Sequence, residues 1–236
     1  MYSKKFSILI YAITAVLFLL VSATACDKKE EEEDQVDYGS VSDVDGNTYK
    51  TRKIGSQTWM VENLKTTKFN DGAGIPNVTG KNEWKNLSSA AYSWYDNDKS
   101  SYSRKCGALY NWYAVEQGKL CPNGWRVARD SEWKELVDFL AGEGHEAEQG
   151  KVLRSTSDWN DGKNGSDDYY FNGKPAGFRH VSDGGFYAIG TNAQWWTSSE
   201  SYEGEAWFYA IYHTGTDIRL KSEAHEQGHS VRCIKK

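Results

Sequence analysis

The sequence predicts an α+β domain with many short strands and long loops, and three observations support this fold class. From Tyr38 onward, short runs rich in β-branched and aromatic residues alternate with Gly, Asn and Asp, as in strands joined by turns. Residues 130–140 instead show the apolar spacing of a helix. All ten tryptophans lie between residues 38 and 236, so this region can bury a sizeable core in one domain.

The N-terminal 25 residues have the pattern of a secretion signal. Lys4 and Lys5 form a basic start, an apolar run extends from Phe6 to about residue 21, and small residues precede Cys26. A cysteine at this place resembles the lipobox of bacterial lipoproteins, so we expect residues 1–25 to be a lipoprotein signal peptide and Cys26 to be lipidated. An ordinary signal peptide and an uncleaved membrane anchor are the alternatives.

Residues 26–37 are predicted to be an acidic, disordered tether. Seven acids and two lysines follow Cys26 up to Asp37, and such a composition has nothing to bury. The Lys29-Glu30-Glu31 cluster resembles the surface-export signal of lipoproteins in Bacteroidetes-type bacteria. We therefore expect a lipid-anchored protein of the outer membrane, exposed at the cell surface.

The charge of the chain is concentrated in this tether. The whole sequence has 28 basic and 33 acidic residues, a net charge of −5. Four of the lysines and seven of the acids belong to residues 1–37, which leaves 24 basic and 26 acidic residues from Tyr38 onward. A nearly neutral domain lacks the basic face that nucleic acid requires, so no nucleic-acid partner is expected.

The first half of the domain is predicted to open with a β-hairpin. A turn at Asp45-Gly46 leads into a strand over residues 47–54, and a turn at Gly55-Ser56 leads into its return over residues 57–63. Residues 66–104 are predicted to be mostly loop.

Two helices are predicted to follow. The first covers residues 108–117, carries Leu109, Trp112 and Tyr113 on one face, and ends before Gly118. The second, Asp130–Leu140, has apolar residues at spacings of i, i+3, i+4 and i+7. These residues are Trp133, Leu136, Val137 and Leu140. Asp130 is expected to cap this helix and Gly142 to end it.

The second half is predicted to consist of strands joined by turns. The expected strands cover residues 176–181, 186–189, 194–198, 206–213, 217–221 and 230–235. Turns such as Gly184-Gly185 and Thr214-Gly215-Thr216 separate them. We expect the last strand to be paired within a sheet.

Seven ordered segments resemble one known family. They are GSQTWMVENL (55–64), LYNWYAV (109–115), CPNGWRV (121–127), EW (132–133), PAGFR (175–179), WTSSE (196–200) and SVRCIK (230–235). Together they resemble the Fibrobacter succinogenes major paralogous domain. The GWRV, EW and SVRC segments are also similar to formylglycine-generating enzymes, whose fold is C-type-lectin-like. The resemblance implies a C-type-lectin-like domain of two main helices, small and mostly antiparallel sheets and long loops, in a surface or secreted lipoprotein.

Three cysteines remain in the domain, namely Cys106, Cys121 and Cys233. Pairing is favoured outside the cytoplasm, and an odd number leaves one of them free or bonded elsewhere. The family resemblance includes Cys121 and Cys233 and so implies a disulfide between them. A short loop closed by Cys106 and Cys121 is the alternative. A catalytic thiol at Cys106 is not indicated, because no histidine lies near it in sequence.

Candidate ligand-binding residues occur in two places. Trp159, Asp161, Asp167 and Asp168 surround a polar loop whose carboxylates are of the kind that calcium prefers. Trp195 and Trp196 are aromatic residues that could stack on a sugar. Neighbouring strand residues point to opposite faces, so we expect at most one of these two to face the core and the other to be partly exposed. A solvated loop and ordinary core packing are the alternatives.

The sequence favours a non-catalytic binding domain with a glycan or a surface protein as its ligand. The alternatives are a structural interaction module without a small ligand, and a metal-dependent oxidative enzyme related to formylglycine-generating enzymes. His225 and His229 are four residues apart, but Gly228 lies between them and the segment is predicted to be a turn before a strand. No resident cofactor is expected, apart from calcium at the 158–168 loop.

Overall fold

The structure is a computed structural model that describes residues 37–236. The predicted signal peptide, Cys26 and all of the tether except Asp37 lie outside the described residues. Among residues 37–236, no helix combines the length and the apolar composition needed to cross a membrane.

The described chain is a mixed α/β structure with few helices and several small antiparallel sheets. The strands are β1 (Gly39–Ser42), β2 (Thr48–Ile54), β3 (Gln57–Met60), β4 (Tyr92–Ser93), β5 (Leu109–Tyr110), β6 (Trp125–Val127), β7 (Ala176–Arg179), β8 (Phe186–Ile189), β9 (Asn192–Tyr202), β10 (Glu205–Tyr212), β11 (Arg219–Ala224) and β12 (Cys233–Lys235). The α-helices are α1 (Lys81–Trp84), α2 (Lys99–Tyr102), α3 (Trp112–Glu116), α4 (Asp130–Leu140) and α5 (Gln149–Leu153).

The largest sheet joins the two ends of the domain. Its strand order is β1-β2-β3-β12-β6, and every neighbouring pair is antiparallel. The predicted hairpin is confirmed as β2 and β3, with Ile54 opposite Gln57, and β1 adds a strand that was not predicted. Ile234 of β12 lies opposite Trp59 on one side and Arg126 on the other. The expected pairing of the last strand is therefore confirmed.

The other predicted strands form two further sheets. Strands β9, β10 and β11 make a three-stranded antiparallel sheet, and β7 pairs with β8 in a separate hairpin. Phe186–Ile189 is found as predicted, whereas β9 extends to Tyr202 and β11 begins at Arg219. Residues 66–104 are mostly loop, as predicted, with α1, β4 and α2 as short interruptions.

The helix α4 has the predicted bounds but a different cap. Trp133, Leu136 and Leu140 are buried, and Val137 is partly buried against the same cluster. The backbone N–H of Arg129, the residue before the helix, donates to the Glu132 carboxylate at 2.9 Å. Glu132 therefore provides the hydrogen-bond acceptor at the N-terminus of the helix. The prediction that Asp130 caps the helix is wrong, because its carboxylate accepts from the Ser199 hydroxyl instead, at 2.7 Å. A wide helical turn over residues 141–145 follows α4, so Gly142 does not end the helical path.

The prediction of a helix over residues 108–117 is only partly correct. Leu109 and Tyr110 form β5, and α3 begins at Trp112. Two features override the local helical pattern. The Tyr110 N–H donates to the His229 carbonyl, which fixes an extended backbone, and the Asn111 side chain accepts from the Ala114 N–H at 3.2 Å as the cap of a new helix.

Two buried clusters share the β9-β10-β11 sheet between them. Trp196, Phe208 and Ala210 belong to the cluster on one face, and Trp195 and Tyr209 belong to the cluster on the other. The stacking of Trp133 on Tyr209, with ring centroids 5.1 Å apart, places α4 on the second face. A sheet covered on both faces buries consecutive residues of a strand.

The buried guanidinium of Arg232 links three parts of the chain. It donates to the backbone carbonyls of Met60, Val61 and Phe171, and to the Asn63 side-chain oxygen at 2.7 Å. The same Asn63 oxygen accepts from the Trp195 indole at 2.8 Å. Burial lowers the pKa of Arg232 to about 9, which leaves it charged at neutral pH. The buried positive charge of Arg232 is therefore stabilised by hydrogen bonds to neutral carbonyl and amide oxygens and not by a carboxylate.

The disulfide implied by the family resemblance is present. Cys121 and Cys233 are bonded, and they join the loop before β6 to β12 across 112 residues of sequence. Closing a loop of that length stabilises the folded state by about 4–5 kcal/mol in the chain-entropy treatment. Cys106 is free and buried, so the alternative pair of Cys106 and Cys121 is not formed.

Replacing Asn63→Ala is expected to lower the free energy of unfolding by about 3–5 kcal/mol, because it leaves buried donors of Arg232 and Trp195 without an acceptor. Urea denaturation measures this loss. Asn86→Ala is the matched control, since Asn86 is exposed and a change below about 0.5 kcal/mol is expected there. Equal effects of the two substitutions would contradict the role assigned to Asn63.

Candidate functional site

Two adjoining cavities form a continuous groove on the loop-rich side of the domain. The larger has a volume of about 390 Å³ and the smaller about 140 Å³, and Lys65 and Arg104 line both of them. We call this feature the cationic groove. Its charged residues are the five cations Lys65, Lys99, Arg104, Lys105 and Lys174, and the three acids Asp45, Glu62 and Asp158.

Short structural elements position two of these cations. Lys99 begins α2, which Asp98 caps by accepting from the Ser101 N–H at 3.1 Å. Hydrogen bonds from Ser100 and Ser101 lower the pKa of Asp98 to about 2, so this cap stays charged. Arg104 follows the end of α2 and leads toward a turn at Gly107. That turn requires glycine, because φ is +76° and a Cβ atom there would lie 2.7 Å from the Leu64 carbonyl oxygen.

Each acid of the groove already has a partner. The Asp45 carboxylate accepts from the Thr67 N–H at 2.6 Å and forms an ion pair with Lys68 at 3.4 Å. The Glu62 carboxylate accepts from the Lys50 N–H at 2.8 Å. Neither acid forms an ion pair with Lys65, Lys99 or Arg104.

Asp158 is the most strongly held of the three acids. One of its oxygens lies 2.8 Å from the Lys105 ammonium and the other lies 2.8 Å from the Lys174 ammonium. Burial opposes the charged carboxylate, but the hydrogen bonds from both lysines prevail and lower its pKa to about 2. Asp158 therefore forms ion pairs with two of the five cations, Lys105 and Lys174.

Lys65, Lys99 and Arg104 form no ion pair with any carboxylate of residues 37–236. The Lys65 ammonium lies over the Tyr49 ring, 5.5 Å from its centroid, and the Lys99 ammonium lies over the Trp94 ring, 5.7 Å from its centroid. Both ammonium groups are therefore stabilised by cation–π contacts. The groove thus presents unneutralised positive charge, although the whole chain has a net charge of −5.

The structure separates the predicted ligands of the 158–168 loop. Asp161 lies 3.6 Å from the His213 ring, Asp168 is exposed, and Asp167 accepts from the Asn172 N–H at 2.6 Å. Burial raises the pKa of Asp167 to about 6. Within residues 37–236, no three His, Cys, Asp or Glu side chains lie close enough together to hold a metal ion. The predicted calcium ligands are therefore not assembled, and Asp158 of this loop lines the cationic groove instead.

The three tryptophans predicted to contact a ligand are buried. Trp159 is 4% exposed, and its indole donates to the Gly173 carbonyl at 3.1 Å. Trp195 and Trp196 are both fully buried, so the prediction that one of them is partly exposed is wrong. The alternation of strand residues is as expected, but both faces of the sheet are covered. No ring surface of these residues is open for stacking on a sugar.

The two histidines four residues apart also pack in the core. His225 stacks on Trp112 with ring centroids 4.3 Å apart. His229 is fully buried among aromatic rings, with Trp196 and Phe208 both at 4.5 Å, and neither of its ring nitrogens has a hydrogen-bond partner. Burial lowers the pKa of His229 to about 3, so it is neutral under ordinary conditions.

Comparison with known proteins identifies the family. The model of the Fibrobacter succinogenes major domain matches residues 53–235. The chain belongs to this family. No curated protein and no solved structure matches the chain in the corresponding searches.

The segments that resemble the Fibrobacter succinogenes major domain mainly build the core in this member. Their large residues are buried, among them Trp59, Trp133, Trp196, Arg179 and Arg232. Arg179 resembles Arg232 in donating to backbone carbonyls, those of Val78, Thr79, Gly80 and Gly184. These segments therefore identify the fold, and they contribute only Glu62 and Asn63 to the cationic groove.

The cations of the groove were missed by sequence reasoning because they come from separate parts of the chain. Lys65 follows β3, Lys99 begins α2, Arg104 follows α2, and Lys174 precedes β7. The adjacent Arg104-Lys105 pair is the one local signal, and isolated basic residues are common on any surface. Folding alone brings these charges together.

The buried, neutral state of His229 predicts a loss of stability in acid. Its folded-state pKa of about 3 lies below the ordinary value of 6.5, so the unfolded chain binds the proton more readily. The contribution of His229 is complete above pH 6.5 and is lost as the pH falls toward 3. Between pH 7 and pH 5 it removes about 2 kcal/mol from the free energy of unfolding.

His229→Phe is expected to abolish this part of the pH dependence, because phenylalanine suits the surrounding aromatic rings and does not titrate. Urea denaturation at pH 7 and pH 5 provides the measurement. His145→Gln, at a partly exposed position, should retain the full dependence. If His229→Phe retained it as well, the acid sensitivity would not arise from His229.

Proposed function

We propose that this protein is a surface-anchored lipoprotein whose domain binds an anionic polysaccharide in the cationic groove, without catalysis. Three cations without a carboxylate partner in a preformed groove, Lys65, Lys99 and Arg104, carry this proposal. A ligand with carboxylate or sulfate groups would satisfy them through charge-assisted hydrogen bonds.

The polar lining of the groove favours a glycan over a protein ligand. Amide and hydroxyl residues lie between the cations, namely Asn47, Thr67, Ser103 and Asn172. Hydroxyl-rich sugars pair with such groups, whereas protein ligands generally need apolar pockets for aromatic anchors. Trp94, the aromatic residue that lines the groove, is 5% exposed, and the Lys99 ammonium lies over its ring, so its ring face is not open for stacking on a sugar.

The cysteines favour binding over the oxidative chemistry of formylglycine-generating enzymes. That chemistry requires a metal-binding pair of cysteines or a histidine cluster. Here Cys121 and Cys233 are joined in a disulfide, and no histidine cluster that could hold a metal ion occurs within residues 37–236. Cys106 is buried, and burial raises its thiol pKa to about 11, so it carries almost no thiolate at neutral pH.

We also propose that Cys26 is lipidated and that the domain is C-type-lectin-like. The pattern of residues 1–25 and the position of Cys26 support lipidation, and the acidic segment up to Asp37 supports an exposed tether. The location proposed is the outer face of the outer membrane. Small antiparallel sheets, few helices and the presence of the first and last strands in one sheet support a C-type-lectin-like domain.

Calorimetry with polygalacturonate and dextran sulfate tests binding in the groove. The full chain, held in phosphatidylcholine nanodiscs, is expected to bind these polymers but not methyl-esterified polygalacturonate or plain dextran. Affinity should fall with added salt, because the charges are solvent-exposed, and should be the same with calcium or with a chelator. The double variant Lys99→Gln/Arg104→Gln is expected to lose at least about tenfold in affinity.

Lys85→Gln/Lys134→Gln is the matched control for this measurement. It removes the same number of charges from exposed positions outside the groove and should bind like the unmodified chain. Equal binding of the charged and uncharged polymers, or equal loss in the two double variants, would refute the groove as the site.

Metabolic labelling with palmitate tests the anchor separately. Label is expected in the unmodified protein and not in Cys26→Ala, whose share in the membrane fraction should fall sharply because no acyl chains hold it there. Cys106→Ala is the control and should keep the label. An unlabelled protein, or a Cys26→Ala variant that stays membrane-bound, would exclude the lipid anchor.

A further inference from the structure

A third cavity lies beside the disulfide and shares no residue with the cationic groove. Its volume is about 360 Å³, and α3, the Cys121 loop, β6 and the middle of β9 surround it. We call it the disulfide pocket and define it by Val115, Leu120, Cys121, Val127, Arg126 and Arg129. A volume in this range is typical of pockets that bind small molecules.

The inner wall of the disulfide pocket is apolar and fixed in place. Val115, Leu120, Cys121 and Val127 are each at most 5% exposed and belong to one buried cluster. The bond from Cys121 to Cys233 anchors this wall to β12. A rigid apolar wall would receive the hydrocarbon part of a ligand without having to rearrange.

Arg126 places an unsatisfied donor at the pocket. One end of its guanidinium, Nη2, is paired with the Glu132 carboxylate. Its Nε–H is buried and has no hydrogen-bond partner within residues 37–236. Buried donors of this kind nearly always have an acceptor in folded proteins. The Arg126 Nε–H could therefore donate to a polar or negatively charged oxygen of a ligand.

Arg129 adds a second guanidinium to the same pocket. The one carboxylate shared by the two arginines is already occupied, because Glu132 holds Arg126 through one oxygen and accepts the Arg129 N–H through the other. Arg129 forms no ion pair with a described carboxylate. Burial and the nearby charge of Arg129 both lower the pKa of Arg126, as expected for two cations close together.

Glu116 is the remaining acid that lines the pocket, and its side chain is exposed at the rim. The pocket therefore combines an apolar inner wall with two guanidinium groups and the Lys236 side chain at its polar edge, against the carboxylates of Glu132 and Glu116. A neutral apolar molecule would leave the arginines unsatisfied, and a small inorganic anion would leave the wall uncovered.

We infer that the disulfide pocket is a second binding site, specific for a small carboxylate with an apolar body such as an aromatic or short aliphatic acid. The carboxylate bridges Arg126 and Arg129, and the hydrocarbon part lies against Val115, Leu120 and Val127. This site is independent of polysaccharide binding in the cationic groove.

Ligand-detected NMR titration of the full chain in phosphatidylcholine nanodiscs tests this inference with three probes of the same size. Phenylacetate is expected to bind, and phenylacetamide and phenethylamine, which lack the negative charge, are expected to bind at least about tenfold more weakly. Arg129→Gln should weaken phenylacetate binding by about tenfold and leave phenylacetamide binding unchanged. It should not weaken phenethylamine, because the loss of a positive charge removes repulsion of its ammonium group. Because Arg129 is exposed, this variant is expected to fold, and its melting temperature verifies that.

Lys134→Gln is the matched control, since it removes one positive charge from an exposed position of α4 outside the pocket. It should leave phenylacetate affinity unchanged. The inference is overturned if phenylacetamide binds as tightly as phenylacetate, if Arg129→Gln has no effect, or if phenylacetate shows no binding at millimolar concentration. Loss of phenylacetate binding in Lys99→Gln/Arg104→Gln would place the carboxylate in the cationic groove and would also overturn it.

Discussion

The buried positive charge of Arg232 is the constraint on which much of this structure depends. An uncompensated guanidinium in a core is strongly destabilising, so its donors must be satisfied wherever the chain can supply oxygen atoms. The carbonyls of Met60 and Val61 at the end of β3, the carbonyl of Phe171 and the Asn63 side chain meet this need together. Because Asn63 also accepts from Trp195, the first hairpin, the long loop and the three-stranded sheet are fixed relative to one another.

This framework explains why candidate sites lie on loops. Both faces of the β9-β10-β11 sheet are covered by buried clusters, so Trp195 and Trp196 serve packing. Loops held by a rigid scaffold are free to carry charges that the core excludes. The cationic groove forms where the chain after β3, the segment after α2 and the loop before β7 meet, close to the Asn63 and Arg232 contacts.

The two sites differ in how they are built, and the difference suits different ligands. The cationic groove is open and polar, and its charges are carried by flexible lysines and one arginine, as a repeating anionic polymer would require. The disulfide pocket has a rigid apolar wall and two arginines, which match the planar geometry of a single carboxylate. Under the two proposals, binding of a polymer in the groove and of a small acid in the pocket are independent.

The sequence by itself determined the elements with strong local patterns, including α4, the β2-β3 hairpin and most later strands, because periodicity and turn residues act over a few positions. The family segments also indicated the Cys121–Cys233 bond. Only the tertiary structure decided that Trp195 and Trp196 are both buried, that β5 shortens α3, and that the acids of the 158–168 loop stay apart. It alone gathered the cations of the groove. These outcomes depend on contacts between residues far apart in the chain, whose positions no local pattern encodes.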